Sequence, residues 1–436
     1  MKAFGDFDAE IGRILGDGFD QVGGGEVKDG TGQFEDMFGQ FLTNPEEKVK
    51  GLLEWSDLFV GLTGDFFNWL LRTDFVKRVG ELIESEDRTQ DGCKLLVAML
   101  YPYSPMGDVF ASKGIGILLK KKLGDVNRDV EVLRDILDGI VHLSHASIKA
   151  IGFLGKNGVF GTMVQMLCGY VNNWKEGAIM IGEALCETCE LTSSHMLNYV
   201  GLGNLIMEDD EDYQILGCHL LYYISDFPGN FTYIIIRKAI AERICNIAND
   251  SMGDLMEASV RLMKRVAKIK DFVEEYGESM VLVCDRVSIM SDDLTEVALG
   301  VMKEMSNTSE VGCRVINDDR HMEMIGCLMK EGNFQCQREC VMILGNIICK
   351  GGRDVQMKMI EGGMGKYLIE GINLMDGNDL VTVINGVERL IKTEMDMGGS
   401  EMLLKVMDMR SDIEEISRSN VEVISDAGNR LLRYLS

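Results

Sequence analysis

Cys186 and Cys189 stand three apart, with His195 a short distance on. Thiolates and an imidazole at such spacing could begin a zinc site, but structural zinc takes four ligands, usually from two such pairs. No second pair lies near, and Cys336 and Cys340, four apart, belong to another predicted helix. His142 and His145 are three apart and can share a helical face; at that spacing they read as helix-end or partly buried groups. Gly155-Lys-Asn-Gly158 has a fragment of a phosphate loop but neither the full Gly-x4-Gly-Lys-Ser/Thr frame nor a preceding strand. Lys350-Gly-Gly-Arg353 reads as a helix-ending turn, with glycine taking the left-handed cap conformation. Lys120-Lys-Lys122 reads as a solvated basic face. There is no nucleophile–base pairing, no framed carboxylate dyad and no cofactor fingerprint. The expectation is a protein without catalytic residues, metal or cofactor.

The elements that carry these residues are helices. Proline occurs only at Pro45, Pro102, Pro105 and Pro228, so almost nowhere is a backbone donor removed or a helical turn blocked. Apolar residues recur at i, i+3, i+4, as in Leu96, Met99 and Leu100, which lays one apolar stripe along a helix. Residues 1–40 differ: runs such as Gly16-Asp-Gly18 and Gly23-Gly-Gly25 offer little apolar area against the entropy of ordering. They are expected to be a disordered N-terminal segment, dispensable for folding, with helices from Phe41 onward.

Inside residues 41–436 a repeat is visible. One unit reads His321 to Lys330, turn Glu331-Gly-Asn, then a long helix from Gln337; the next reads Met364 to Met375, turn Asp376-Gly-Asn-Asp, then a long helix from Leu380. Equivalent places in successive long helices are Ala98, Gly139, Ala184, Tyr223, Lys264, Lys303, Asn346 and Arg389, spaced 41, 45, 39, 41, 39, 43 and 43 apart. A period near 40 with two or three helices per unit marks armadillo or HEAT arrays, whose units bury their apolar faces only by stacking.

The formal net charge is −26. That argues against nucleic acid, whose binding depends on neutralising phosphates with Lys and Arg, and favours capture of basic ligands. No charged-then-apolar leader and no apolar run of membrane-spanning length is present. The 12 scattered cysteines fit a reducing compartment, many of them as small buried apolar groups. The 29 methionines read as soft core filling.

Three stretches carry a family resemblance. They are Gln337-Arg-Glu-Cys-Val-Met-Ile-Leu-Gly-Asn-Ile-Ile-Cys-Lys-Gly-Gly, Cys218-His-Leu-Leu-Tyr-Tyr-Ile-Ser-Asp-Phe-Pro, and Ser419-Asn-Val-Glu-Val-Ile-Ser-Asp-Ala-Gly-Asn-Arg-Leu-Leu-Arg-Tyr-Leu. In order and spacing they resemble importin-α, an armadillo-repeat family, over about residues 200–436 and by period alone from about residue 75. The resemblance implies an all-α, right-handed superhelical armadillo-repeat solenoid of about eight to nine repeats. It implies a monomeric nuclear import adaptor, moving between cytoplasm and nucleus. Its groove would bind basic nuclear-localisation peptides of cargo, with an importin-β and an export receptor as partners and no nucleic acid or membrane. In that family asparagines on the groove helices grip a peptide backbone, tryptophans form slots for lysine stems, and carboxylates meet the ammonium groups.

Carried over position by position, the resemblance makes Asn346 the backbone clamp and Glu339 and Glu296 the carboxylates. Tyr223 stands where the family also has Tyr, and Met342 lies at a slot position. The departures are as specific. The tryptophan positions hold Lys94, Asp135, Met180, His219, Val260, Leu299, Met342 and Asn385. Lys94, Lys264 and Lys303 would repel a basic peptide. Residues 1–73 hold only Lys2, Arg13, Lys28, Lys48, Lys50 and Arg72 as basic groups, so the family's basic N-terminal arm has no counterpart. A non-shuttling armadillo scaffold, or more remotely a HEAT-type regulatory subunit, remains open beside the adaptor.

Overall fold

The computed structural model describes residues 30–54, 70, 72–100, 106–192, 202–225, 238–288 and 291–435. Every regular element among them is helical. The chain divides into two compact units, Met1–Asn157 and Gly158–Ser436.

The first unit opens with a helix over Gly30–Thr43. The expected disordered segment therefore needs correcting over residues 30–40, while residues 1–29 lie outside the described residues. The physical reason is an apolar stripe at Phe34, Met37, Phe38 and Phe41, which outweighs the helix-weakening glycines between them. Phe38 and Phe41 are fully buried, with ring centroids 5.3 Å and 5.6 Å from that of Phe75; Phe110 extends the cluster at 6.5 Å. Tilted and edge-on rings at these separations suit aromatic quadrupoles. Behind the cluster, the Phe75–Glu84 and Thr89–Met99 helices are followed by a three-helix unit, Met106–Ser112, Ile115–Asp125 and Val130–Ala146. The Lys120–Lys122 run is engaged, not merely solvated: Lys120 donates to the Asn157 carbonyl, Lys121 to Glu84, and Lys122 to the Ser85 carbonyl.

The second unit repeats the three-helix pattern most plainly near its end. Glu310–Ile316, Asp319–Glu331 and Phe334–Lys350 form one repeat. Arg353–Glu361, Gly365–Glu370 (continued by a 3-10 turn) and Gly377–Asp396 form the next, and Glu401–Asp408, Arg410–Ser417 and Glu422–Leu432 close the array. Local signals set the starts. Asn333 accepts from the Cys336 amide, Asp318 from that of His321, Ser291 from that of Leu294 and Ser309 from that of Val311, each satisfying an orphan donor of a first turn.

Two glycine turns behave differently. Gly158 has φ 71° and needs the left-handed freedom of glycine. Gly351 does not, since its φ is −70°, which corrects the left-handed reading of that turn. A Cβ there would sit 2.6 Å from the Ile347 carbonyl oxygen and 2.7 Å from Val355, so crowding is what demands glycine.

Candidate functional site

The long helices of the second unit run parallel. Lys303 Nζ lies 2.7 Å from Glu339 Oε2, Asn346 Nδ2 donates to Ser306 Oγ at 3.1 Å, and Lys350 Nζ donates to the carbonyls of Ser306 and Asn307. These contacts advance in the same direction along Asp292–Thr308 and Phe334–Lys350, so equivalent positions of neighbouring repeats stand side by side.

Two of the five expected peptide-site residues, Glu339 and Asn346, face this seam. Residues 339–348 of Phe334–Lys350 are all buried. Glu339 is 3% exposed, Asn346 5% and Met342 8%. Glycines bring the flanking helix in: a Cβ on Gly386 would be 3.6 Å from the Gly345 Cα, an approach that any larger residue would resist. Glu339 already holds Lys303 and accepts from Gln335 Nε2 at 3.2 Å, and the Asn346 amide is spent on Ser306. Glu296, by contrast, is half-buried. Tyr223 is half-buried too, its ring edge-on to Tyr222 at 5.5 Å, and the Arg265 guanidinium stands 4.6 Å from the Tyr222 ring centroid. His219, a tryptophan-equivalent position, has its pKa lowered by burial and then by the Arg261 charge.

The first unit has its own rung. Lys94 Nζ lies 3.7 Å from Asp135 Oδ2, too far for a hydrogen bond. Burial holds the Asp135 carboxyl above the usual aspartate range, with Lys94 only partly opposing it. Asp138, on the same helix, is raised for the same first reason.

One polar cluster escaped the sequence reading. His321, 3% exposed, has Nε2 2.7 Å from Asp285 Oδ1 and Nδ1 2.6 Å from Asp318 Oδ1. Arg320 reaches the other Asp285 oxygen at 3.1 Å. It fastens Lys270–Val287 to Asp319–Glu331. Asp318 could have been found as an N-cap; Asp285, distant in sequence, carried no local signal.

Among the described residues no group of three or more His, Cys, Asp or Glu could hold a metal. Cys186 is half-buried, and desolvation pushes its thiol up to about 12, whereas the Cys189 side chain and His195 lie outside the described residues. Burial also raises the Cys340 thiol, and His142 Nδ1 bonds back to the Asp138 carbonyl. No described helix is long and apolar enough to cross a membrane.

No family model and no curated protein matches the chain. Among solved structures it is similar to an engineered protein from the Northeast Structural Genomics Consortium. That match has TM-score 0.71 and 14% identity over 92% of this chain and 98% of the other. It is also similar, at TM-score 0.46 and 11% identity, to a designed armadillo repeat protein, over 55% of this chain and all of the other. At such identities the first likeness speaks for the fold alone. With the three-helix repeats described above, the class is an all-α armadillo-repeat solenoid.

Proposed function

We propose that the chain is a non-catalytic scaffold that holds partner proteins along the long helices of its repeats. The observation that supports this is the run of parallel long helices, Gly253–Val266, Asp292–Thr308, Phe334–Lys350 and Gly377–Asp396, which set polar side chains at matching places in successive repeats. Hydrogen exchange of the full chain with and without a captured partner tests it. Protection concentrated on these helices is expected; protection confined to the short helices of each repeat would count against it.

A narrower reading is a nuclear import adaptor. It is supported by the net charge of −26 and by Asp254, Asp293 and Glu296, exposed or half-exposed in the first two turns of two adjacent long helices, with Glu257 beside them held by Arg261. On this reading basic nuclear-localisation peptides of cargo occupy that acidic end, Tyr223 lines the approach, and an importin-β carries the complex between cytoplasm and nucleus. Asn346, Glu339 and Met342 would then take part only after the seam opens. A pull-down that yields Lys- and Arg-clustered cargo together with an importin-β, weakened by Glu296→Lys, is the expected result. A pull-down lacking both would reject it.

A further inference from the structure

The opposite end of the same face carries the opposite charge. Lys264 and Lys268 lie at and beyond the end of Gly253–Val266, Lys303 and Lys350 follow on the next two helices, and Arg389 and Lys392 stand on Gly377–Asp396. Their register is fixed by contact. A Cβ on Gly300 would fall on the Lys264 side chain, placing Lys264 one turn from Lys303. Lys303 meets Glu339. Lys350 closes on the last carbonyls of Asp292–Thr308. Arg389 is one turn past Gly386, which lies against Gly345, and acts electrostatically on Cys349.

Helix macrodipoles explain cations in a last turn, but not Lys303 or Arg389, which stand well inside their helices. Lys303 and Lys350 have partners; Lys264, Lys268, Arg389 and Lys392 form no ion pair among the described residues, and the last three are exposed. The carboxylates nearest in sequence to the unpaired cations are Asp271, Glu388 and Glu394; Arg430 already holds Glu388 at 3.3 Å, and Glu394 accepts from the Met402 amide. Two such pairs, at the two ends of a row whose middle members are Lys303 and Lys350, are conspicuous in a chain with 70 acidic and 44 basic residues.

We propose that this row, from Lys264 and Lys268 through Lys303 and Lys350 to Arg389 and Lys392, is a docking track for an extended acidic segment of a partner protein. The proposal rests on the scaffold reading and reverses the charge of ligand that the import-adaptor reading requires. Adjacent helix axes lie about 8–10 Å apart and an extended chain advances about 3.3 Å per residue, so every third residue of the ligand meets the next helix. Acidic side chains at that period pair with Lys264 and Arg389 at the two ends, and those between them share Lys303 with Glu339 and add to the carbonyl contacts of Lys350; about nine residues cover the span from Lys264 to Arg389. A polyanionic nucleic acid matches the row but not the molecule, because the large negative net charge repels it at long range.

The test is fluorescence anisotropy on the full chain with a labelled peptide of about twelve residues bearing glutamate at every third position. Matched glutamine and lysine peptides and a single-stranded DNA of similar length serve as comparisons. The glutamate peptide should bind, lose affinity as salt rises, and weaken at least about tenfold in the Lys264→Glu, Arg389→Glu double variant. Both residues are unpaired, so circular dichroism should be unchanged; Lys77→Glu, at an exposed cation elsewhere, should leave binding intact. Preference for the lysine peptide, equal or tighter binding of DNA, or indifference to the double variant would each overturn the proposal. If no peptide binds yet a captured partner still protects the long helices, the acidic track falls and the scaffold reading stands. If neither occurs, both fall.

Discussion

Two rungs at related positions behave as different devices. In the first unit Lys94 faces Asp135 at 3.7 Å, with side chains 53% and 13% exposed. In the second, Lys303 faces Glu339 at 2.7 Å, with side chains 24% and 3% exposed. Both join one long helix to the next. They differ in what lies beneath. Gly139, beside the open rung, packs against the flexible ends of Leu96 and Leu119, which keep the helices apart. Beside the closed rung, Gly345 and Gly386 let the Phe334–Lys350 and Gly377–Asp396 backbones meet, so the helix that carries Glu339 is packed closely by its next neighbour as well. The same pairing of a lysine with a carboxylate thus sits half in water at one rung and largely within the packed core at the other.

Glu339→Ala is expected to have the largest effect, because it strands Lys303 against a closed seam. Breaking one side of a fully buried pair costs about 3–5 kcal/mol; Lys303 is 24% exposed and keeps part of its hydration, so a loss of about 2–3 kcal/mol is expected. A denaturant midpoint close to that of the unmodified chain would show the seam to be as wet as the Lys94 rung. Asn346→Ala should cost about 1 kcal/mol, the usual worth of a hydrogen bond, and should weaken further changes at Ser306 in a double-mutant cycle. Additivity there would mean the 3.1 Å bond contributes nothing. Lys94→Ala should shift stability by less than about 1 kcal/mol, as exposed pairs do; a loss comparable with Glu339→Ala would abolish the contrast.

The smallest effect is a pH dependence. The folded state raises the Asp135 pKa, chiefly by desolvation, so it binds that proton more tightly than the unfolded chain does. The Asp135 contribution therefore falls as pH rises from the ordinary aspartate range through the raised folded value. Asp135→Asn should flatten stability over that window. An unchanged pH profile would place the carboxylate in water.

Much of the fold was legible. The period near 40 came from Ala98, Gly139, Tyr223, Lys303 and their equivalents, and each falls on a long helix of the structure. Turns at Glu331-Gly-Asn333 and Asp376 were readable because short polar, glycine-containing stretches are local signals; Asn333 also caps the helix that follows, whereas Asp376 makes no side-chain cap. The N-terminal boundary was misjudged because glycine content was weighed over the apolar stripe that ends at Phe38 and Phe41. The candidate site was less legible. Glu339 and Asn346 were chosen for their chemistry, and nothing in the run Gln337 to Ile348 says that both would be covered.

The sequence by itself determined the helices, their repeat and the strongly acidic balance, since period and composition need no knowledge of contacts. Only the tertiary structure decided which charges are spent. Lys303 is paired with Glu339 and Lys350 is hydrogen-bonded to backbone carbonyls, whereas Lys264 and Arg389 form no ion pair among the described residues. That division follows from how closely neighbouring helices approach, and the approach is set by residues from different repeats meeting across the seam.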